Sequence, residues 1–284
     1  MNEFRTHPHP PTMPVENNLT ATYVGSVGVG FLLALASAAG LLFPEYIYPT
    51  EELRRSFLAN DVVNLIVGLP VLLVPIWLTW PRRTGARGRL LGLLLWPGGL
   101  FYVLYNALIY VIALPLNAGL LLALGQLALS IYTLAALVAT IDGEAVRHRL
   151  RGAVPEKLAG GTMMVSGLLF FLLAVGTTIG NILSGTAVDR TGLAVLVSDG
   201  IVSPAWVIVG LLLWRGRPLG YMAAGGLLFQ LTSLFIGLIV VLLLEPLLSR
   251  AAVPLTDVLV VSVMALIVLV PLVLFVRGIL KREA

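Results

Sequence analysis

Two aspartates stand out in a chain that is 58% hydrophobic and only 11% charged: Asp61, with Asn64 one helical turn on, and Asp199, followed by Gly200, Ser203 and Pro204. A carboxylate set in an apolar run is costly in lipid and is a functional candidate for that reason. Gly and Pro beside it can break a helix and free carbonyls to line a cavity, the chemistry of a cation or proton site. The competing reading is that each aspartate caps the N-terminus of its helix at the membrane surface. A second constellation is Tyr102, Asn106 and Tyr110, which recur every four residues and so share a helix face. Tyr105 stands beside Asn106, and Pro97-Gly98-Gly99 one to two turns earlier predicts a loosened or kinked helix. A buried amide needs partners, and tyrosine hydroxyls can supply them. Gln230, in a stripe with Gly226, Ser233 and Gly237, is a further candidate for lining an interior. Against all of these stands the plainer role of interhelical glue, worth on average under about 1 kcal/mol per hydrogen bond.

Other chemistries are set aside by composition. There is no cysteine, hence no thiolate metal site, thiol redox step or disulfide. The three histidines, His7, His9 and His148, lie outside the apolar runs, so an intramembrane haem or zinc site is not expected. Lys157 and Lys281 also lie outside the runs or at the end of one, which leaves no buried amine for a Schiff base. No HExxH, Walker loop or GxSxG elbow is present. Neither aspartate sits in a Gly-x-Gly-Asp context of the intramembrane protease kind. No metal or cofactor is expected, and an enzyme is not the leading reading.

The elements that must position these residues are helices in a bilayer. A hydrocarbon core roughly 30 Å thick takes about 20 apolar residues to cross, and the runs are continuous rather than alternating, which excludes a barrel. Eight spans are predicted at about Tyr23–Phe43, Asp61–Trp80, Leu90–Leu114, Gly119–Ile141, Thr162–Leu183, Leu193–Trp214, Tyr221–Leu244 and Val258–Val276. The expected fold is an all-α integral membrane bundle of about eight transmembrane helices. Residues 1–18, polar and proline-rich, predict a disordered cytoplasmic tail, and 19–284 the polytopic transmembrane domain. Ala34, Ala36 and Ala38 imitate a cleavage site, but the apolar run continues past them and reads as an uncleaved anchor. Small and polar stripes at Ser26, Gly30, Ala34 and Ala38, at Gln126, Ser130 and Thr133, and at Thr177 and Asn181 read as packing seams.

Orientation follows from the basic residues. With eight spans, Arg5, Arg82, Arg83, Arg87, Arg89, Arg147, Arg149, Arg151, Lys157, Arg215, Arg217, Arg277, Lys281 and Arg282 share one side, and only Arg54, Arg55, Arg190 and Arg250 of the chain's 18 lie opposite. Both termini are therefore expected to be cytoplasmic. Glu45, Glu51, Glu52, Asp61, Asp189, Asp199, Glu245 and Asp257 fall on or near the opposite side. The expected partners are the lipid bilayer and anionic lipids at the basic, cytoplasmic face; no nucleic acid is expected. The sequence sets neither the substrate nor the oligomeric state.

The two halves have matching layouts. Span two carries Asn60-Asp61, Pro70 and Trp80 before a basic turn; span six carries Ser198-Asp199, Pro204 and Trp214 before Arg215-Gly216-Arg217. Four spans separate the matched elements, so the layout suggests a 4+4 parallel internal repeat, with chance likeness of apolar helices as the alternative. The stretch from Tyr105-Asn106 through Tyr110 to Leu116-Asn117, with the segment from Asp199 through LLLWRGRPLGY to Tyr221, resembles an uncharacterised family of bacterial multi-pass integral membrane proteins. The likeness covers spans three, four, six and seven. It implies a bacterial or archaeal inner membrane and carries no assigned activity. The leading functional expectation is a small transporter or permease for a cation, a proton-coupled solute or a lipid-like molecule, with Asp61, Asn64, Tyr102, Asn106, Tyr110, Asp199 and Gln230 lining its interior. A non-catalytic membrane scaffold or accessory subunit is the alternative, and a lipid-headgroup-modifying enzyme at the outer face is a weaker one.

Overall fold

The structure is a computed structural model that describes residues 13–15, 18–80, 89–249 and 252–283. The basic turn with Arg82, Arg83 and Arg87, together with Arg5, His7, His9 and Arg250, lies outside the described residues. Among the described residues, eight helices are long and apolar enough to cross a membrane. They comprise α1 (Thr20–Leu42), a second span built of α3 (Glu51–Val63), a π-helical turn (Asn64–Gly68) and α4 (Leu69–Thr79), then α5 (Arg89–Ala113) and α6 (Ala118–Thr140). The last four are α8 (Glu156–Ser184), α9 (Arg190–Trp214), α10 (Pro218–Ser249) and α11 (Leu255–Glu283). Two short helices, α2 (Pro44–Ile47) and α7 (Gly143–Leu150), sit in the connections.

Local chemistry sets the helix starts. Thr50 caps α3, Asn117 caps α6, Asp142 caps α7 and Asp189 caps α9, each side chain accepting from the backbone N–H three residues on. Neither Asp61 nor Asp199 is a cap. The second span begins ten residues before the expected Asp61, because Glu51 and Glu52 open a charged first turn that continues without interruption into the apolar run. At a rise of 1.5 Å per residue, Asp61 lies about 15 Å and Asp199 about 13 Å beyond the starts of their helices. The π turn, one residue wider than an α turn, begins three residues after Asp61 and leads into Pro70, which has no N–H to give the ladder. Met13 to Val15 run back along the bundle: Val15 bridges Ile141, and Pro14 accepts from the Asp142 N–H at 3.0 Å.

In the first half α1 packs on α6, α4 on α5 and α5 on α6; in the second half α8 packs on α11, α9 on α10 and α10 on α11. At the centre α5 crosses α10, and each also touches the other half's second span, α5 meeting α9 and α10 meeting α3. The neighbours of the first four spans thus recur among the last four, as a parallel arrangement of halves requires. The central crossing is backbone on backbone. A Cβ on Gly98 would overlap the Gly226 carbonyl, and one on Gly226 would stand 2.8 Å from the Gly98 nitrogen. Only glycine at both positions lets the helices approach so closely.

The largest core cluster fills the half of the bundle that holds Thr20 and Glu283, with Trp96, Trp206, Leu94, Met163, Leu213 and Phe275 among its members. A smaller cluster, with Tyr48, Phe57 and Tyr110, lies toward the opposite end. Two indoles staple helices across the bundle: Trp96 Nε1 donates to Ser26 Oγ at 2.9 Å, and Trp206 Nε1 donates to Gln230 Oε1 at 2.8 Å.

Candidate functional site

Asp61 is fully buried and held by hydroxyls. Tyr48 OH donates to its Oδ2 at 2.6 Å and Tyr110 OH to its Oδ1 at 2.8 Å, with Ser37 of α1 beside the carboxyl. Tyr48 lies in the turn before α3, where burial first, and then the neighbouring Asp61 carboxylate, push its phenol well above the ordinary value, so it remains a donor. The space for this arrangement comes from Gly40, where a Cβ would overlap both the Asp61 carboxylate and the Tyr48 hydroxyl. The Tyr110 oxygen in turn accepts from the Asn60 amide at 3.1 Å and the Asn64 amide at 3.4 Å. Asn60 also reaches Asn106 Oδ1 at 3.4 Å, and the Asn106 amide donates to the Tyr102 carbonyl at 3.1 Å.

Asp199 stands elsewhere. It is half-buried, and its Oδ1 accepts from Tyr105 OH at 2.8 Å. No lysine or arginine pairs with it among the described residues. Behind it, Ser203 Oγ bonds back to the Asp199 carbonyl at 2.5 Å, one residue before Pro204 removes a backbone donor from the helix.

A cavity of about 390 Å³ opens between α3, α5, α9 and α10, with Phe170 of α8 closing one side. Ser56, Thr191 and Glu245 stand toward the end of the bundle opposite Thr20 and Glu283; Tyr102 and Trp206 mark its depth near mid-bundle. Its walls are mostly apolar, with Phe57, Val63, Ile109, Val195, Phe235 and Leu238, and the polar exceptions near its middle are Asn60, Tyr105, Asn106 and Asp199. The volume falls in the range of pockets that enclose a drug-sized molecule, roughly 300–1,000 Å³.

Of the residues singled out from sequence, Tyr102, Asn106 and Asp199 line this cavity. Asp61, Asn64 and Tyr110 form the closed group beside it, joined to the wall through Asn60. Gln230 is buried against Trp206 and lies in neither group. Tyr102, Asn106 and Tyr110 do not act as one face: each four-residue step turns about 40° beyond a full circle, so Tyr110 has rotated some 80° from Tyr102. Phe57 forms the partition. It packs on Tyr48 with ring centroids 5.5 Å apart and on Tyr110 at 4.5 Å, while also lining the cavity.

Four residues important to this geometry carried no role in the sequence: Tyr48, Gly40, Phe57 and Trp206. Tyr48 sits in a loop with no periodic pattern, and nothing local pairs it with Asp61 thirteen residues on. Tyr105 and Asn60 were visible as neighbours of Asn106 and Asp61, but without direction.

Comparison with family models, with curated proteins and with solved structures found no match for this chain.

Proposed function

We propose that this multi-pass membrane protein is a small transporter that takes an amphipathic solute carrying a cationic group, with Asp199 as its polar anchor. The observation that supports this most is the position of Asp199: a carboxylate without a basic partner among the described residues, on the wall of a mostly apolar cavity of about 390 Å³. A hydrophobic body would leave water for the walls formed by Phe57, Phe170, Phe235 and Ile109. Its polar head would meet Asp199, with Tyr105, Asn60 and Asn106 around it. Beyond Trp206 the other half of the bundle is filled by the apolar cluster that includes Leu213 and Trp96, and we read the cavity as that of a carrier open toward Ser56, Thr191 and Glu245. Pro204, in the helix of Asp199, and the π turn after Asp61 are the interruptions through which such a carrier changes shape.

The basic bias of the loops supports both termini inside, with the Ser56, Thr191 and Glu245 end of the cavity outward and the basic loops against anionic lipids; a bacterial or archaeal cytoplasmic membrane rests on the resemblance of the sequence alone. The test uses proteoliposomes offered a panel of radiolabelled amphipathic amines under an imposed pH or sodium gradient. Wild-type protein should accumulate at least one of them and Asp199→Asn should not. Equal accumulation by both, or none by folded wild-type protein across the panel, contradicts the proposal.

One observation favours a second reading, a membrane scaffold or accessory subunit. The last third of α8, with Val175, Ile179, Ile182 and Leu183, faces outward, and a Cβ added at Gly176 or Gly180 would meet nothing within 4 Å among the described residues. A purified protein that binds no amine but retains a stoichiometric membrane partner through this helix would support that reading instead.

A further inference from the structure

We propose that Asp61 is a proton-binding site, separate from the Asp199 anchor, whose occupancy resets the cavity wall through Tyr110 and Asn60. The inference deepens the transporter reading and rests on it only for what the cavity carries.

The carboxylate is fully buried with no lysine or arginine paired to it among the described residues, and the cation it can take is a proton rather than a metal ion. Both oxygens are already met by O–H donors, Tyr48 at 2.6 Å and Tyr110 at 2.8 Å. A cation needs lone pairs, yet those of Tyr110 are engaged by the amides of Asn60 and Asn64. Among the described residues, the titratable groups that face Asp61 are Tyr48 and Tyr110 alone. From α1 come Ser37 and Gly40, and the following turn brings Asn64. The carboxylates that α9 and α10 bring near α3, Asp199 and Glu245, line the cavity instead, and Asp199 bonds to Tyr105. On α3 itself, Glu51, Glu52, Arg54 and Arg55 stand at least a turn and a half away toward the helix start.

Protonation favours a rearrangement. When Asp61 takes a proton from water on Oδ1 and presents it to Tyr110, Tyr110 changes from donor to acceptor and turns its own O–H to another acceptor, for which the unpartnered Asn64 Oδ1 is available. The Tyr110 oxygen cannot accept from Asp61, Asn60 and Asn64 together, since a hydroxyl has two lone pairs. Asn60 is the one to let go. Its bond to Tyr110 is the shorter of the two, 3.1 Å against 3.4 Å for Asn64, but its side chain stands in the cavity wall and has a second acceptor in Asn106 Oδ1, whereas Asn64 is buried. Asn64 Oδ1, buried and without a hydrogen-bond partner among the described residues, marks the neighbouring position as incompletely satisfied in the present arrangement. Loss of the proton restores the bond and the wall.

The chain has no cysteine, so a single Ser56→Cys, one turn from Asn60 on the cavity wall, reports the wall's shape in full-length protein in nanodiscs. Its rate of reaction with a water-soluble maleimide is divided by that of Leu116→Cys, a loop position 95% exposed, to remove the thiol's own titration. The ratio should change roughly threefold to tenfold between acid and alkaline pH, the response of a two-state equilibrium biased by about 1 kcal/mol. It should become flat in Asp61→Asn and in Tyr110→Phe, and persist in Asp199→Asn. Tyr110→Phe keeps the test decisive if Asp61→Asn does not fold. A ratio flat in the parent protein, or a dependence that survives Asp61→Asn or Tyr110→Phe, overturns the proposal. So does a dependence abolished by Asp199→Asn. No solute is present, so failure here leaves the transporter reading standing, and failure of amine uptake leaves this test untouched.

Discussion

Tyr105 and Tyr110, five residues apart on α5, each donate a hydrogen bond of 2.8 Å to a different aspartate: Tyr105 to Asp199 on α9, and Tyr110 to Asp61 on α3. Five residues turn a helix by about 140° past a full circle, so the two hydroxyls point to different flanks of α5. One helix therefore holds two carboxylates apart, one on an open cavity and one in a closed group of phenols and amides.

The two tyrosines should differ in what they contribute to stability. Tyr110→Phe removes a donor from a fully buried carboxylate and the acceptor of two amides, and should cost about 2–3 kcal/mol. Tyr105→Phe, whose aspartate faces the cavity, should cost under about 1 kcal/mol. Reversible unfolding of purified protein in mixed micelles, followed by tryptophan fluorescence, measures both. Equal costs would mean that Asp199 is as enclosed as Asp61.

Gly40→Ala should destabilise the protein by about 1–3 kcal/mol, the usual penalty for forcing an extra methyl into filled space, because its Cβ would overlap Asp61 and Tyr48. The penalty should shrink in an Asp61→Ala background, where the space is vacant. A double-mutant cycle reads this as a coupling energy, and independent, additive costs would contradict the geometry.

Gln230 separates packing from ligand binding. Its Oε1 accepts from Trp206, and its Nε2 is buried without a hydrogen-bond partner among the described residues. Gln230→Leu should lower stability by up to about 1.7 kcal/mol, the upper end for such bonds in a bilayer, and leave amine binding within about twofold. A large loss of binding with unchanged stability would return Gln230 to the cavity.

Much of the fold was legible in the sequence, because apolar runs of span length have only one solution in lipid. The second span was the exception. Its first three turns carry Glu51, Glu52, Arg54 and Arg55, which hydropathy excludes, although the helix runs through them. That displaced start is why Asp61 read equally well as a cap. The candidate site was legible in part. Residue type marked Asp199, Asn106 and Tyr102, but nothing in the spacing assigned Asp61 and Asp199 to separate groups, since that depends on which flank of α5 each tyrosine faces. Tyr48 could not be found at all: a loop phenol folded back over Gly40 leaves no periodic trace. The matched layouts of the halves acquire a spatial counterpart in the recurring helix neighbours and in the Gly98–Gly226 crossing.

Loop tags should fall on two sides of the membrane. Epitopes after residue 84 and at the C-terminus should be reached only from inside, and those after residues 116 and 187 only from outside, in protease-protection assays. Tags at 84 and 116 on the same side would remove the assigned orientation of the cavity.

The most direct test is a calorimetric titration of the full-length protein in nanodiscs with an aromatic primary amine small enough for a cavity of about 390 Å³, compared with its neutral alcohol analogue. Saturable binding of the amine, weakened about tenfold or more by Asp199→Asn (a loss of about 1.4 kcal/mol) and little changed for the alcohol, is the predicted result. Equal affinity of wild-type and Asp199→Asn protein for the amine would contradict the role given to Asp199.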